Sequence, residues 1–288
     1  MKVRVRALRL TKVASAAWVA SLLAVACGST ATTSTSPTPQ LTTIQSGYVT
    51  IATYGTFAPD IIVGPGDALS GLDGDWLTQF AKDNNLKIKV YPTTFSGGIL
   101  AVQQSKADMF TYLYYTDARG KVVYYTYPFN LEKLAVYVRK GFSYSSPDSL
   151  KGKKVGAVLG EVQSDYVQKA WGSNAVTLPS DEAAEAALLN GQIDGWVSAF
   201  NGATNGSLNA GNSDYHFLKE GDFGVPASAV ANLVYNIVNC NNKGLADAAN
   251  STLKKLHSQG KWSQILTKYT LSPENDVSLS SPGATCSG

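Results

Sequence analysis

One arginine stands among five tyrosines in YYTDARGKVVYYTYPF, the stretch from residue 114 to residue 129. Arg119 follows Thr116 by three residues, in the pattern T-x-x-R. A guanidinium presents a fixed fork of N–H donors that matches the two oxygens of a carboxylate. Tyrosine rings can line a pocket or stack on a cationic group. A strand core beside a surface arginine would give the same composition, so the meaning of the tract depends on its surroundings.

Residue types that would support an enzyme are scarce. The chain has two histidines, His216 and His257, and they lie in unrelated contexts. It contains no G-x-S-x-G, no H-E-x-x-H and no glycine loop that would cradle a phosphate. The sequence therefore predicts a protein that is not an enzyme, with no catalytic residue, no metal and no cofactor.

The first 26 residues have the layout of an export signal. A basic leader ends at Lys12, and the apolar run of residues 13–26 follows. These 14 residues are too few for a membrane-spanning helix, which needs about 20, so the segment is predicted to be a signal peptide. The residues before Cys27 resemble a bacterial lipobox, which predicts a lipid on Cys27. An ordinary cleaved signal beside an incidental cysteine is the alternative.

Removal of this signal changes the charge of the chain. The full sequence has 24 basic and 21 acidic residues, net +3; without the five basic leader residues the balance is 19 minus 21, or −2. No nucleic-acid partner is therefore expected. Residues 27–46 are uncharged and rich in Thr, Ser and Pro, which predicts a flexible tether. The folded part is expected outside the cell, lipid-anchored to the outer face of the cell membrane.

Two further cysteines, Cys240 and Cys286, lie in the remaining chain. Disulfides persist in the compartments that exported proteins reach, so a bridge is predicted to tie the polar C-terminal tail, residues 276–288, to the body. Two unpaired thiols are the alternative.

Strand-like and helix-like segments alternate along the chain from residue 47. YVTIATY (48–54) has the β-branched alternation of a strand, and GDWLTQFAKDNN (74–85) places Trp76, Leu77 and Phe80 on one side of a helix. The alternation restarts after residue 147. This pattern predicts α/β layers around a mostly parallel sheet.

Several segments resemble, in order and spacing, the bacterial extracellular solute-binding proteins of family 3, the type that serves polar amino-acid ABC transporters. They are GLDGDWLTQFAKDN, QQSKAD, the T-x-x-R arginine, YPF, SLKGKKVGAVLG, NGQIDG and HSQGKWSQILTKY, after an opening strand with Tyr54 and Phe57. The resemblance implies a type II periplasmic-binding-protein fold, in which two α/β lobes joined by a two-crossing hinge hold a ligand in the cleft between them. Lobe one would comprise residues 47–136 and 232–275, and lobe two residues 137–231. The crossings would lie near residues 134–139 and 225–234.

The same resemblance implies a set of ligand-binding residues. Arg119 would pair with the α-carboxylate of the ligand, and Thr116 would start the turn that aims it. Tyr54 and Phe57 match the aromatics that enclose the ligand's side chain, although plain core packing would also explain them. The further predicted ligand-binding positions are Thr111, Tyr112, Tyr114, Glu161, Val162, Gln163, Ser198 and Asn201.

Departures from the family pattern concentrate in this set. Tyr112 and Tyr114 stand where the family has small or hydroxyl residues, so they reshape the pocket unless one turns into the core. Glu161 stands where hydroxyl residues help to hold the carboxylate; it either takes a cationic group of the ligand or serves as a favourable charge in the first turn of a helix. Ala199 replaces the aspartate that binds the α-ammonium. Either Glu161 substitutes for that aspartate, or the ligand is not a standard α-amino acid.

The predicted function follows from the resemblance. The protein would be the extracytoplasmic binding component of an ABC importer, a monomer that captures a small carboxylate-bearing solute by cleft closure and delivers it to a membrane permease. Two alternatives on the same fold stay open, a periplasmic dehydratase of cyclohexadienyl type and a ligand-sensing receptor domain.

Overall fold

A computed structural model gives the structure of the protein for residues 41–200, 211–282 and 286. The predicted signal peptide, Cys27 and Asn201 lie outside these described residues, as does most of the predicted tether.

Strands and helices alternate along the described chain, as the sequence pattern predicts. The strands are β1 (Tyr48–Thr53), β2 (Ile62–Val63), β3 (Leu69–Ser70), β4 (Lys87–Pro92), β5 (Met109–Tyr114), β6 (Val123–Tyr125), β7 (Asn130–Arg139), β8 (Val155–Val158), β9 (Ala175–Leu178), β10 (Gly195–Phe200), β11 (Ser213–Phe217) and β12 (Ala231–Asn239). The helices are α1 (Gly71–Asp83), α2 (Phe95–Gln103), α3 (Asp117–Gly120), α4 (Val162–Trp171), α5 (Asp181–Leu189), α6 (Lys243–Ser258) and α7 (Lys261–Lys268).

One hydrogen-bonded path connects most of the strands in the order β4-β1-β5-β12-β7-β10-β8-β9, with β6 beside β12 and β11 beside β7. Both flanks are parallel: β1 pairs with β4 and β5, and β8 pairs with β9 and β10. The middle is antiparallel, where β12 pairs with β5 and β7, and β7 pairs with β10. The expectation of a mostly parallel sheet is therefore wrong, because β7 and β12 run through the centre in opposite directions.

Strand β7 belongs to both halves of this path. Its residues 130–133 pair with β12, and its residues 133–138 pair with β10. A strand shared in this way suits the first crossing predicted from the sequence, while the lobe boundaries themselves stay a prediction.

The helices bury apolar faces against the sheet and one another. In α1 the face formed by Leu72, Trp76, Leu77 and Phe80 is fully buried, which agrees with the predicted helical spacing. Thr94 begins α2 by accepting a hydrogen bond from the Gly97 backbone N–H through its side chain at 3.1 Å. Within the described residues no helix has both the length and the apolar character that a bilayer crossing requires.

The predicted disulfide is confirmed. Cys240 and Cys286 are bonded, with their Cα atoms 5.4 Å apart. The backbone N–H of Cys286 also donates to the carbonyl oxygen of Gly120 at 2.6 Å. The C-terminal tail thus returns to the short helix α3, next to Arg119.

Candidate functional site

A cavity lies where the strands of the two parallel flanks end. Its empty volume is about 310 Å³, counting the part open to solvent. Its walls come from the carboxyl ends of β1, β5 and β10, from the start of β7, from α2 and α3, and from the turn between β8 and α4. Sheets of this kind bind ligands at the carboxyl ends of their strands. The lining residues are Tyr54, Phe57, Phe95, Tyr112, Leu113, Tyr114, Arg119, Glu132, Glu161, Val162, Gln163, Ser198 and Ala199.

Arg119 is aimed into the cavity by the short helix that carries it. The hydroxyl of Thr116 caps this helix and accepts the backbone N–H of Arg119 at 3.2 Å. The guanidinium lies 5.3 Å from the centroid of the Phe95 ring. Its Nη1 donates to the carbonyl oxygen of Tyr114 at 2.9 Å. A guanidinium has five N–H groups, so these contacts leave it able to bind a carboxylate.

A second bond from Arg119 reaches the turn before α4. Nη2 donates to the carbonyl oxygen of Gly160 at 2.8 Å. The Ser96 hydroxyl donates to the carbonyl oxygen of the preceding residue, Leu159, at 3.4 Å. Gly160 has a φ of +88°, and a Cβ there would lie 3.0 Å from Ser96 Oγ. A glycine is therefore needed both for the turn and for this close approach.

Aromatic rings form one wall of the cavity. Tyr54 packs edge-on against Phe95 with ring centroids 5.2 Å apart, and Phe57 lies 5.8 Å from the ring of Tyr112. Tyr54 and Phe57 are each 7% exposed. Both side chains therefore pack in the core and line the cavity, so the two interpretations of these residues are compatible.

A β-bulge shapes the end of β5. Leu113 pairs with Tyr235 and Phe110 pairs with Ile237, so the single residue Asn236 lies opposite two residues of β5. Tyr112 has a φ of +66°, a left-handed conformation that is rare for a bulky side chain.

The side chain of Asn236 stabilises the bulge. Its Oδ1 accepts the backbone N–H of Tyr112 at 2.9 Å, and its Nδ2 donates to Oδ1 of Asp73 at 2.8 Å. Asp73 lies in the first turn of α1. Its buried carboxylate serves the bulge, and burial raises its pKa to about 8.

Both tyrosines of β5 bind one acid. The hydroxyl of Tyr112 donates to Oε1 of Glu132 at 2.7 Å, and the hydroxyl of Tyr114 donates to Oε2 at 2.7 Å. Neither phenol turns away into the core, since both residues line the cavity. Glu132 is 1% exposed, and burial raises its pKa to about 7 although the two phenols favour the charged form.

Glu161 holds a buried carboxylate at the start of α4. It occupies the N-cap position of the helix without a hydrogen bond from its side chain to the helix backbone. It is 7% exposed, and its Oε2 atom has no hydrogen-bond partner among the described residues. The neighbouring Gln163 is 3% exposed, and its Oε1 atom also has none there.

Electrostatic repulsion adds to the effect of burial on the pKa of Glu161. Burial raises the pKa of Glu161, and so do the negative charges of Asp181 and Glu132, while Arg119 lowers it. The Ser198 hydroxyl lies 3.5 Å from Oδ1 of Asp181, whose pKa is raised to about 7, mainly by burial. Glu161 thus lies within electrostatic range of two other acids, Asp181 and Glu132, and of the Arg119 guanidinium.

The structure brings nine of the twelve predicted ligand-binding residues to this cavity. Thr116 lies behind Arg119 as its helix cap. Thr111 is fully buried, with its hydroxyl 3.5 Å from the carbonyl oxygen of Ala52. Asn201 lies outside the described residues. The ligand-binding role of all twelve stays a prediction.

The sequence interpretation missed Phe95, Leu113 and Glu132 as lining residues. Glu132 left a signal: in NLEKLAVYVR it occupies an alternate position of the strand between Asn130 and Leu134, which are both buried. An acid on the buried face of an apolar strand requires a partner. Phe95 and Leu113 left none, because an apolar lining residue has the same pattern as a core residue.

Among residues 41–200, 211–282 and 286, no group of three or more His, Cys, Asp or Glu side chains is placed to hold a metal ion. The arrangement suits a small organic solute with a carboxylate near Arg119.

Comparisons with known proteins agree with this geometry. A sequence profile of the bacterial extracellular solute-binding proteins, family 3, matches residues 49–272. A probable histidine-binding protein of Campylobacter jejuni is 27% identical over 254 residues, which cover 87% of this chain and 94% of the relative.

Solved structures show the same fold. The substrate-binding protein of an amino-acid ABC transporter superposes with a TM-score of 0.69 at 23% identity, covering 77% of this chain and 99% of that one. A variant of ArgBP from T. maritima superposes with a TM-score of 0.65 at 25% identity, covering 78% and 95%.

Proposed function

The chain belongs to the bacterial extracellular solute-binding proteins, family 3, and on that premise we propose that its cavity captures an amino acid or an amino-acid derivative for an ABC importer. The fold is that of the type II periplasmic binding proteins. The observation that carries the proposal is the placement of Arg119, whose guanidinium lies in a cavity wall of aromatic rings at the carboxyl ends of the strands.

Capture depends on a cleft that closes over the solute. Arg119 and Ser96 of predicted lobe one bind the carbonyl oxygens of Gly160 and Leu159 of predicted lobe two. A ligand that contacts Arg119 and Glu161 would add bonds across the same gap. It would therefore favour the closed arrangement by its differential affinity for that state.

Similarity to named proteins supports the amino-acid part of the proposal. The relative from Campylobacter jejuni is described as a probable histidine-binding protein. Within the proposal, a lipid on Cys27 holds the monomeric protein at the outer face of the cell membrane, where a permease receives the solute.

A thermal-shift screen of the twenty standard amino acids and of common derivatives, including betaines, tests the proposal. A solute present at 100 times its dissociation constant should stabilise the protein by about 2.7 kcal/mol. Failure of every carboxylate-bearing solute to stabilise the protein would contradict the proposal. Genes for a permease and an ATPase beside the gene of this chain would favour import over sensing.

One observation favours a second candidate, a dehydratase that acts on a cyclohexadienyl acid such as prephenate. Glu161 lines the cavity with a raised pKa, and a general acid must hold its proton near neutral pH. Release of water and carbon dioxide from prephenate in the presence of the protein would support this candidate. The absence of turnover together with tight binding of an amino acid would exclude it.

A further inference from the structure

The charges that line the cavity are unbalanced. Among the described lining residues Arg119 is the one cationic side chain, whereas Glu132 and Glu161 are both acids. If a ligand carboxylate pairs with Arg119, both acids still face the cavity without a cation. Carboxylates buried in this way are costly unless they are neutralised or paired.

Two buried polar atoms at the Glu161 end of the cavity have no protein partner among the described residues. They are Oε2 of Glu161 and Oε1 of Gln163, and both residues line the cavity. The side chains are more than nine-tenths buried. Both atoms are acceptors, so a ligand that satisfies them must bring hydrogen-bond donors.

Glu132 has acceptor capacity as well. Each of its oxygens accepts one phenolic hydrogen from Tyr112 or Tyr114, and an ionised carboxylate has about four lone-pair sites. The phenols hold the carboxylate in place at the start of β7, facing the cavity. Asp181 does not line the cavity, but its carboxyl group lies 3.5 Å from the hydroxyl of the lining residue Ser198 and adds negative charge nearby.

The aromatic wall suits the same kind of ligand. Tyr54, Phe57 and Phe95 line the cavity together with Tyr112 and Tyr114. The faces of such rings attract cationic groups, the more so where the cation has been removed from water. The aromatic part of the cavity wall therefore attracts a cationic group as well, in addition to the two acids.

We propose that the cavity is built for a solute with one carboxylate and two cationic centres, an amino acid with a basic side chain, whose cations pair with Glu161 and Glu132. The proposal rests on the proposed function, since it assumes that Arg119 takes the carboxylate. Glu161 and Gln163 form the first cation subsite, and Glu132 with its two phenols forms the second. Neither subsite uses position 199, where an alanine stands.

Matched pairs of amino acids test the charge requirement. Titration calorimetry on the full chain should compare L-arginine with L-citrulline, L-lysine with L-norleucine and L-ornithine with L-norvaline, since the members of each pair differ mainly in the side-chain cation. We expect at least one basic member to bind about tenfold or more tighter than its neutral partner, as a charged hydrogen bond would give. Neutral members that bind as tightly as the basic ones would overturn the proposal and leave the proposed function intact.

Substitution of one acid locates the effect. In Glu161→Gln the affinity for the basic member should fall about tenfold or more, because one of its two cations loses its charged acceptor. The control Glu220→Gln, at an exposed acid outside the cavity, should keep the affinity of the unaltered protein. An affinity that survives Glu161→Gln unchanged would overturn the assignment of Glu161.

Proton release gives a readout that does not depend on any variant. Calorimetry at pH 6.5 in two buffers of different ionisation enthalpy should show protons leaving the protein when the basic amino acid binds, since its cations favour the ionised carboxylates. Proton uptake by the protein would contradict the proposal. If no amino acid of any charge binds, the proposed function fails together with this inference.

Discussion

The guanidinium of Arg119 donates to the carbonyl oxygen of Gly160 at 2.8 Å and so joins α3 to the turn before α4. These two positions are 41 residues apart in the chain and belong to different predicted lobes. A bound carboxylate would lie beside this bond. Ligand binding and contact between the two sides of the cleft would therefore depend on the same side chain.

Replacement of Arg119 by lysine tests the role of the fork. Arg119→Lys keeps the positive charge but loses the paired N–H donors, so the dissociation constant for a carboxylate ligand should rise at least about tenfold. The measurement is calorimetry with the best ligand of the screen. Arg139→Lys is the matched control, because Arg139 pairs with Asp194 and with backbone carbonyls away from the cavity. An unchanged affinity in Arg119→Lys would show that Arg119 is not the anchor.

Asn236 should be a large contributor to stability for a polar residue. Its fully buried side chain accepts the backbone N–H of Tyr112 and donates to Asp73. Asn236→Ala leaves both groups without this partner and should lower the free energy of unfolding by about 2–4 kcal/mol. Denaturant unfolding followed by circular dichroism measures the change. Asn232→Ala, which removes one partly buried bond to Ala229, should cost about 1 kcal/mol, and an equal cost in both variants would refute the role given to the bulge.

The disulfide should stabilise the protein through the chain that it closes. Cys240 and Cys286 are 46 residues apart, for which the chain-entropy relation gives about 4 kcal/mol. The double variant Cys240→Ser and Cys286→Ser should therefore unfold at a lower denaturant concentration than the oxidised protein. Reduction of the unaltered protein should produce a similar loss. If the double variant is as stable as the oxidised protein, the bridge contributes nothing to the fold.

Stability of the ligand-free protein should fall as the pH rises. Burial raises the pKa of Glu132 and Asp181 to about 7 and that of Asp73 to about 8. The folded protein thus retains protons that the unfolded chain releases near pH 4, and the stability these groups contribute is lost as the pH rises through 7 and 8. Between pH 7.0 and 8.5 the loss should be on the order of 2 kcal/mol.

Thermal unfolding at pH 7.0 and 8.5 measures this loss of stability with pH. His257 does not contribute to it, because burial lowers the pKa of its imidazole below this range. The variant Asp73→Asn should show a smaller decrease than the unaltered protein, since Asp73 has the highest of the three pKa values. A melting temperature that stays constant or rises with pH would contradict the assignment of these buried acids.

Much of the fold could be predicted from the sequence, because its elements are local. In the strand that begins at Tyr48 and in the helix with Trp76 and Phe80, apolar residues recur at the spacing that burial of one face requires. The antiparallel middle of the sheet could not be predicted in this way. Whether β7 pairs with β12 depends on contacts about 100 residues apart in the chain, and the side-chain period of a strand does not reveal its direction.

The site was predictable where a motif fixes a side chain. Thr116 and Arg119 lie within one turn of each other, so the cap and the guanidinium were placed together by local geometry. Glu132 was missed because its partners, Tyr112 and Tyr114, are 20 and 18 residues away, and only the folded sheet brings them together. The sequence shows that Tyr112 and Tyr114 replace the small residues of the family, but it does not show that both hydroxyls bind Glu132.

Removal of the carboxylate from the ligand tests the central claim most directly. Calorimetry should compare each amino acid that binds with the amine that lacks its carboxylate, such as L-histidine with histamine or L-arginine with agmatine. If the guanidinium of Arg119 holds the carboxylate through two charged hydrogen bonds, the amine should bind about 100-fold or more weakly. An amine that binds as tightly as its amino acid would contradict the claim that this cavity recognises its solute through Arg119.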